Sequence, residues 1–175
     1  MALGRFHLAP EPPAGTDVRV WRRFSGGRAT ASGEGFVGVS LVLPHRSALV
    51  ASEPRALAPE QVMNRCVRGI LAAYESAGVP AFYPGRDLIT VERRTAGMVS
   101  FTVESTGVLV FEAVLANRRD ASVLPALLDR VDPAGVVAAA MVTPADATSL
   151  AARLGRPLPL DELAARLRRG YGERL

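Results

Sequence analysis

The sequence contains no lysine: all 21 of its basic residues are arginine. That absence excludes every step that would run through a lysine amine of this chain. No internal Schiff base, no phosphate-loop lysine and no lysine general base can form. Cysteine occurs once, as Cys66, so no internal disulfide is possible. Isoleucine is confined to Ile70 and Ile89 and asparagine to Asn64 and Asn117, while Ala, Gly, Pro and Val abound, a bias that GC-rich coding produces. Long hydrophobic runs are also missing. The longest candidate, Gly135 to Val142, is far too short to cross a bilayer. Met1 to Pro13 lacks the apolar stretch of a secretory signal. The expectation is a cytoplasmic protein without a membrane partner. His7 and His45 have no partner pattern, no paired-Cys or paired-His spacing marks a zinc site, and no Gly-x-Ser-x-Gly elbow marks a serine hydrolase.

What is present describes an ordinary globular chain. Its 175 residues fit one domain, 1–175, long enough to bury a core. Hydrophobic residues make up 49% and charged residues 22%, which rules out a mainly disordered chain, a collagen-like repeat and a coiled coil. The net charge is +4 and the sequence pI about 10.2. The arginines come in singles and pairs among acidic residues, without a basic run or interleaved aromatics. They read as a solvated surface rather than a nucleic-acid interface.

The pattern along the chain predicts strands early and in the middle, helices inserted between them, and a helical tail. Met1 to His7 reads as a short strand, Leu8 to Gly15 as a proline-rich loop, and Asp17 to Trp21 as an alternating strand. Arg23 to Gly35 is a long glycine-rich loop. Phe36 to Leu43 is a strongly apolar strand closed by Pro44. The clearest helix spans Pro59 to Ala77, where Val62, Cys66, Ile70 and Tyr74 recur every four residues beside Met63, Val67 and Leu71. Pro59 suits its first turn and Gly78 the position after its end. Cys66 lies on that stripe and reads as a small buried hydrophobe. Three strands follow: Leu88 to Val91, Met98 to Glu104 and Val108 to Leu115, the last two joined through Ser105-Thr106-Gly107. Asp120 can cap a short helix through Leu128, Asp132-Pro133 is a second start signal, and Thr148 can cap Ser149 to Leu154 before Gly155. The amphipathic tail runs from Asp161 to about Arg169, with Leu163, Leu167 and Tyr171 on one face. This is an α+β pattern: a mixed or antiparallel β-sheet packed with helices.

Two constellations could carry chemistry. In Arg22-Arg23-Phe24-Ser25-Gly26-Gly27-Arg28-Ala29, two arginines end a strand and run into a Gly-Gly turn. Adjacent glycines let backbone N–H groups approach an anion, and arginine offers a planar fork for carboxylate or phosphate. The same residues also read as a surface turn with two solvated arginines, which composition by itself favours. In Gly85-Arg86-Asp87, followed by Arg94 and Gly97, a carboxylate at a strand mouth could hold Mg²⁺ or orient a cation. It reads equally as a turn aspartate paired with Arg86. Thr148 to Leu150 and the tail read as structural.

Together these segments resemble the lipoate–protein ligase family, within the biotin/lipoate ligase and octanoyltransferase superfamily. Met1 to His7 resembles its early strand, with His7 replacing the usual Gln. Arg22-Arg23-Phe24-Ser25-Gly26-Gly27 is similar to its signature Arg-Arg-x-Ser/Thr-Gly-Gly, and Arg28-Ala29 to the variant seen in the octanoyltransferase branch. Gly85-Arg86-Asp87 resembles Gly-Arg-Asn-Asp with the Asn deleted, and Thr148 to Leu175 the C-terminal pair of helices. The resemblance covers nearly the whole chain in order, beginning at what would be the family's second strand. It implies that a lipoate or octanoate carboxylate is activated with ATP and Mg²⁺ and passed to a lysine on a lipoyl-type carrier domain. The octanoyltransferase branch instead takes the acyl group from an acyl carrier. Arg23 and the Gly26-Gly27 backbone would contact the acyl carboxylate or adenylate, with Arg22, Ser25, Arg28, Ala29, Gly85, Arg86 and Gly97 around them. Asp87 would sit by the reacting carboxyl and its metal.

Several positions depart from the family pattern. The family lysine, seven residues after the motif aspartate, is Arg94, a bulkier, planar cation that never deprotonates. The His-Asp after the glycine loop becomes Ser32-Gly33. The later His-His-Gly-Thr-Leu becomes Val110-Phe111-Glu112-Ala113-Val114. The cysteine of the branch that uses one falls near Ala81. These departures support a second expectation: a non-catalytic ligase-like binding protein, or one subunit of a heteromeric ligase completed by a partner subunit.

Overall fold

The structure, a computed structural model, describes residues 1–49, 57–137 and 146–173. Its centre is a four-stranded antiparallel sheet in the order β3-β6-β5-β4, formed by β3 (Phe36–Leu43), β4 (Leu88–Val91), β5 (Arg94–Val103) and β6 (Leu109–Ala116). Alternation along these strands separates two faces, because successive side chains point to opposite sides. On one face Leu109, Phe111, Ala113 and Leu115 join Val37, Val39, Leu41, Leu43 and Val99 in the main core. On the other, Glu112 stands in register with Ser40 of β3 and Ser100 of β5.

The core face is covered by helix α1 (Pro59–Ser76), whose buried side includes Val62, Cys66, Val67, Ile70 and Tyr74, as the four-residue periodicity predicts. Pro59 occupies its first turn, the Ala58 N–H is taken up by the Gln61 side chain at 2.9 Å, and Gly78 follows with φ +80. The C-terminal helix α4 (Leu160–Gly172) crosses α1 at a point where both helices carry glycine. A Cβ on Gly170 would lie 2.4 Å from the Gly69 carbonyl oxygen, and one on Gly69 would lie 2.4 Å from the Tyr171 ring. Cys66 is fully buried, and burial pushes its thiol up to about 12, so it packs as a hydrophobe and offers no thiolate at neutral pH.

A second, smaller layer lies over the N-terminal segment. Strands β1 (Ala2–Leu3) and β2 (Trp21–Arg22) pair in parallel, and Ala2 also bridges to Thr30. Met1, Leu3, Ala29 and Ala31 pack with Leu124, Leu128 and Val131 of α2 (Leu124–Val131).

Several boundaries differ from the sequence pattern. The first strand is only two residues long, because Gly4 and Arg5 turn away to meet the glycine loop, and the second lies at Trp21–Arg22 rather than over Asp17 to Trp21. Strand β5 begins four residues earlier than Met98, since Glu92 (φ +48) and Arg93 (φ +66) form a tight two-residue turn without glycine or asparagine. Asp132 does not start a helix within the described residues. It closes α2, and its carboxylate accepts the N–H groups of Val136 and Val137 at 2.8 and 2.7 Å. The cap of α3 (Leu150–Leu154) is Ser149, whose hydroxyl accepts the Ala152 N–H, and not Thr148. Asp120 caps as expected, accepting the Ser122 N–H at 2.9 Å, but it opens a short 3-10 turn that leads into α2. The end of the apolar run, residues 138–142, lies outside the described residues. No helix among the described residues is long and apolar enough to cross a membrane.

Candidate functional site

The loop from Arg23 to Arg28 lies against the sheet face that α1 does not cover. Backbone bonds tie it to the first residues of the chain: the Arg23 N–H donates to the Leu3 carbonyl and the Arg5 N–H to the Ser25 carbonyl, both at 2.9 Å. Gly4 is required at this contact, since a Cβ there would sit 2.1 Å from the Gly27 carbonyl oxygen. Gly27 itself has φ +84, and its Cα faces Ser100 and the Arg23 guanidinium.

The three loop arginines have three different jobs. Arg22 is a clamp: its Nη1 donates to the carbonyls of Gly4, Arg5 and His7 at 3.0, 2.9 and 2.6 Å. Arg28 pairs with Asp87, Nε to Oδ2 at 2.7 Å. Arg23 is the buried one, only 4% exposed. Its Nη2 donates to the Gly26 carbonyl at 3.0 Å and the Arg28 carbonyl at 2.6 Å, while its Nε has no hydrogen-bond partner. Burial pulls this guanidinium below its ordinary pKa, and the negative charges of Glu112 and then Asp87 work against that shift.

Under the loop lies a polar knot. Ser25 is fully buried, and both its N–H (2.7 Å) and its hydroxyl donate to Oε2 of Glu112. The same hydroxyl is 2.6 Å from the Ser100 hydroxyl. Every hydrogen-bonding group of Ser25 other than its carbonyl is thus absorbed by two neighbouring strands. Beside the knot opens a cavity of about 240 Å³, with Arg23 and Glu112 in its wall and Trp21, Phe36 and Val114 supplying apolar surface. Trp21 donates from Nε1 to the Ser32 hydroxyl at 3.0 Å, and this pair separates the cavity from a wider hollow that reaches Arg130 and Leu127. An apolar cavity with a buried arginine in its wall suits a ligand with an apolar body and an acceptor head.

The structure thus brings together Arg23, Ser25, Gly26, Gly27, Arg28 and Asp87, with Arg22 fastening the loop from behind. Ala29 is buried in the small N-terminal core. Gly85 (φ +84) and Arg86 form the exposed turn that leads into β4 beside Asp87. Gly97 sits inside the sheet, where a Cβ would lie 3.0 Å from Leu115. Arg94 is exposed, the first residue of β5 after the tight turn. Among the described residues no three His, Cys, Asp or Glu side chains cluster as metal ligands, and Asp87 is committed to Arg28. These residues do not by themselves form a cage for Mg²⁺.

Glu112 and Ser100 escaped the motif-based reading. A signal for both was available: Glu112 is the one charge in the strand Leu-Val-Phe-Glu-Ala-Val-Leu-Ala, and Ser100 is a buried polar residue within β5.

No protein-family model and no curated protein matches the sequence. Solved structures do match in fold. Lipoate-protein ligase A bound with ATP superposes with a TM-score of 0.71 at 14% identity, over 99% of this chain and 67% of that one. A bi-partite lipoate protein ligase from Thermoplasma acidophilum, solved with its E2 lipoyl domain, gives 0.67 at 15% identity, over 99% and 66%. LipL1 of P. falciparum in complex with lipoate gives 0.65 at 15% identity, over 98% and 43%. The chain therefore has the α+β fold of the lipoate–protein ligase catalytic domain. It spans at most about two thirds of the length of these ligases.

Proposed function

We propose that this protein, as one ligase-like domain over residues 1–175, binds a medium-chain acyl acid of the lipoate or octanoate kind, or its adenylate. The acyl group is then passed to a lysine on a lipoyl-type carrier domain, in a cytoplasmic setting. The observation that carries the reading is Arg23, a buried guanidinium set in the wall of an apolar cavity. In this reading Arg23 and the Gly26-Gly27 backbone hold the acyl head, and the apolar wall takes the tail. Arg28 and Asp87 flank the reacting carboxyl, and ATP with its Mg²⁺ supplies activation. The likeness to ligases solved with ATP, with lipoate and with a lipoyl domain supports the substrate and partner class.

The test is a thermal-shift titration with octanoate, lipoate and biotin, each with and without Mg-ATP, on the wild-type protein and Arg23→Leu. An upward shift with octanoate or lipoate that Arg23→Leu abolishes is the expected result. Flat curves throughout overturn the reading.

One observation favours a second reading, a non-catalytic binding protein or one subunit of a heteromeric ligase. Arg94, at the position of the family lysine, is exposed and outside the Arg23–Glu112 network. Pyrophosphate exchange and label transfer to a lipoyl domain separate the two readings. No turnover at high protein concentration, with binding intact, selects the second. Gain of adenylation in Arg94→Lys shows that this one position was limiting.

A further inference from the structure

Trp21 is the chain's only tryptophan, and it stands 47% exposed. Among the described residues it joins neither the main core nor the small N-terminal one. Its ring instead forms a partition. Trp21, Ser32 and Gly33 line both the cavity beside Arg23 and the wider hollow, of about 450 Å³, on the other side. One hydrogen bond, from the indole Nε1 to the Ser32 hydroxyl at 3.0 Å, holds the ring in that place.

The position suits the tail of a ligand rather than its head. Trp21 and Arg23 lie two residues apart, so alternation turns their side chains to the same side with Cα atoms about 7 Å apart. A chain whose head group is held at Arg23 meets the indole along its tail. Past the ring the hollow continues over Val18 and Leu127, both partly buried against the small core. The exposed ion pair of Arg130 with Asp17 borders it on the solvent side. Apolar surface is thus present on both sides of the indole, and the ring divides it.

We propose that Trp21 sets the length of acyl chain that the cavity accepts. The indole stops a medium chain, and its removal joins the cavity to the hollow and admits a longer one. This rests on the acyl-binding reading above. Ser32 is a positioning residue in this scheme, acting through the ring.

The experiment measures affinity for two probes, octanoate and dodecanoate, by calorimetry, and follows the emission of the single tryptophan. Wild-type protein should bind octanoate at least as tightly as dodecanoate, and bound octanoate should shift the emission to shorter wavelength by covering the ring. In Trp21→Ala, dodecanoate should bind at least about tenfold more tightly than octanoate, since each methylene taken out of water is worth about fourfold. Ser32→Ala keeps the ring but releases it, and should move the ratio in the same direction by less. It serves as the test if Trp21→Ala does not fold. A merely structural role for Trp21 would weaken both acids together and leave their ratio alone. A ratio unmoved in the folded variant, dodecanoate bound more tightly than octanoate by wild type, or bound octanoate that leaves the emission unchanged, each overturns the proposal while leaving the acyl pocket standing. Failure of both acids to bind wild-type protein overturns the acyl pocket itself, and this proposal with it.

Discussion

The two faces of the four-stranded sheet are built from the same strands by opposite means. Under α1 and α4 the face is held by packing: Phe111, Leu109, Ile70 and Tyr74 are fully buried, and the one polar group among them, the Tyr74 hydroxyl, donates to the Ala96 carbonyl at 3.2 Å. On the other face Glu112, Ser100 and Ser25 are joined by hydrogen bonds beside Arg23, whose Nε has no partner. The difference shows where function can reside. A packed face is stable whatever touches the protein, whereas a polar face holds its groups through specific partners, which a substitution or a ligand can exchange.

The comparison can be tested hardest on the packed side. Phe111→Ala should cost about 3–5 kcal/mol, read by urea unfolding, because it removes a fully buried ring from the centre of the core. It should leave any remaining acyl affinity per folded molecule unchanged. Loss of affinity in the folded fraction would mean that the two faces are not independent.

Alkali should also act through the helix-covered face. The Cys66 thiol is raised from 9.0 to about 12 in the folded state, so above about pH 9 the unfolded chain sheds a proton that the folded chain keeps. Stability then falls as pH rises, by about 1.4 kcal/mol per pH unit for this group up to its folded pKa. Tyr74 and Tyr171, also raised by burial, steepen the fall above pH 10. Urea unfolding between pH 8 and 11 should show the decline, with a shallower slope in Cys66→Ala. A flat profile would show that these groups titrate normally.

On the polar face, Ser25→Ala removes one bond to Glu112 and one to Ser100. It should cost about 1–2 kcal/mol of stability, less than the core substitution, and weaken acyl binding at the same time. Loss of stability without loss of affinity would separate the knot from the site. The smallest effect is expected away from both faces. Arg93 has φ +66 at the β4–β5 turn, so Arg93→Gly should stabilise by about 0.5–1 kcal/mol and leave ligand affinity alone.

How legible each face was in the sequence follows the same division. The stripe Val62, Cys66, Ile70, Tyr74 and the alternation in Phe36 to Leu43 mark the packed face plainly, because burial repeats with the period of the backbone. The β4–β5 turn did not announce itself, since Glu92 and Arg93 are forced into left-handed geometry by the strands they join. On the polar face the Arg22 to Ala29 motif was visible, but the roles of its members were not. Arg22, Arg23 and Arg28 look alike in sequence, and only their partners tell a clamp from an ion pair and both from a buried donor.

Sequence alone determined the α+β class, the main helix, the buried and inert Cys66, and the absence of any lysine amine to work with. Local period and residue chemistry suffice for those. The tertiary structure decided which arginine is left with an unsatisfied donor, placed Glu112 and Ser100 beneath the glycine loop, and set Arg94 apart from that network. Those facts depend on residues as far apart in the chain as Ser25 and Glu112 meeting across one sheet face, and no local pattern encodes that distance.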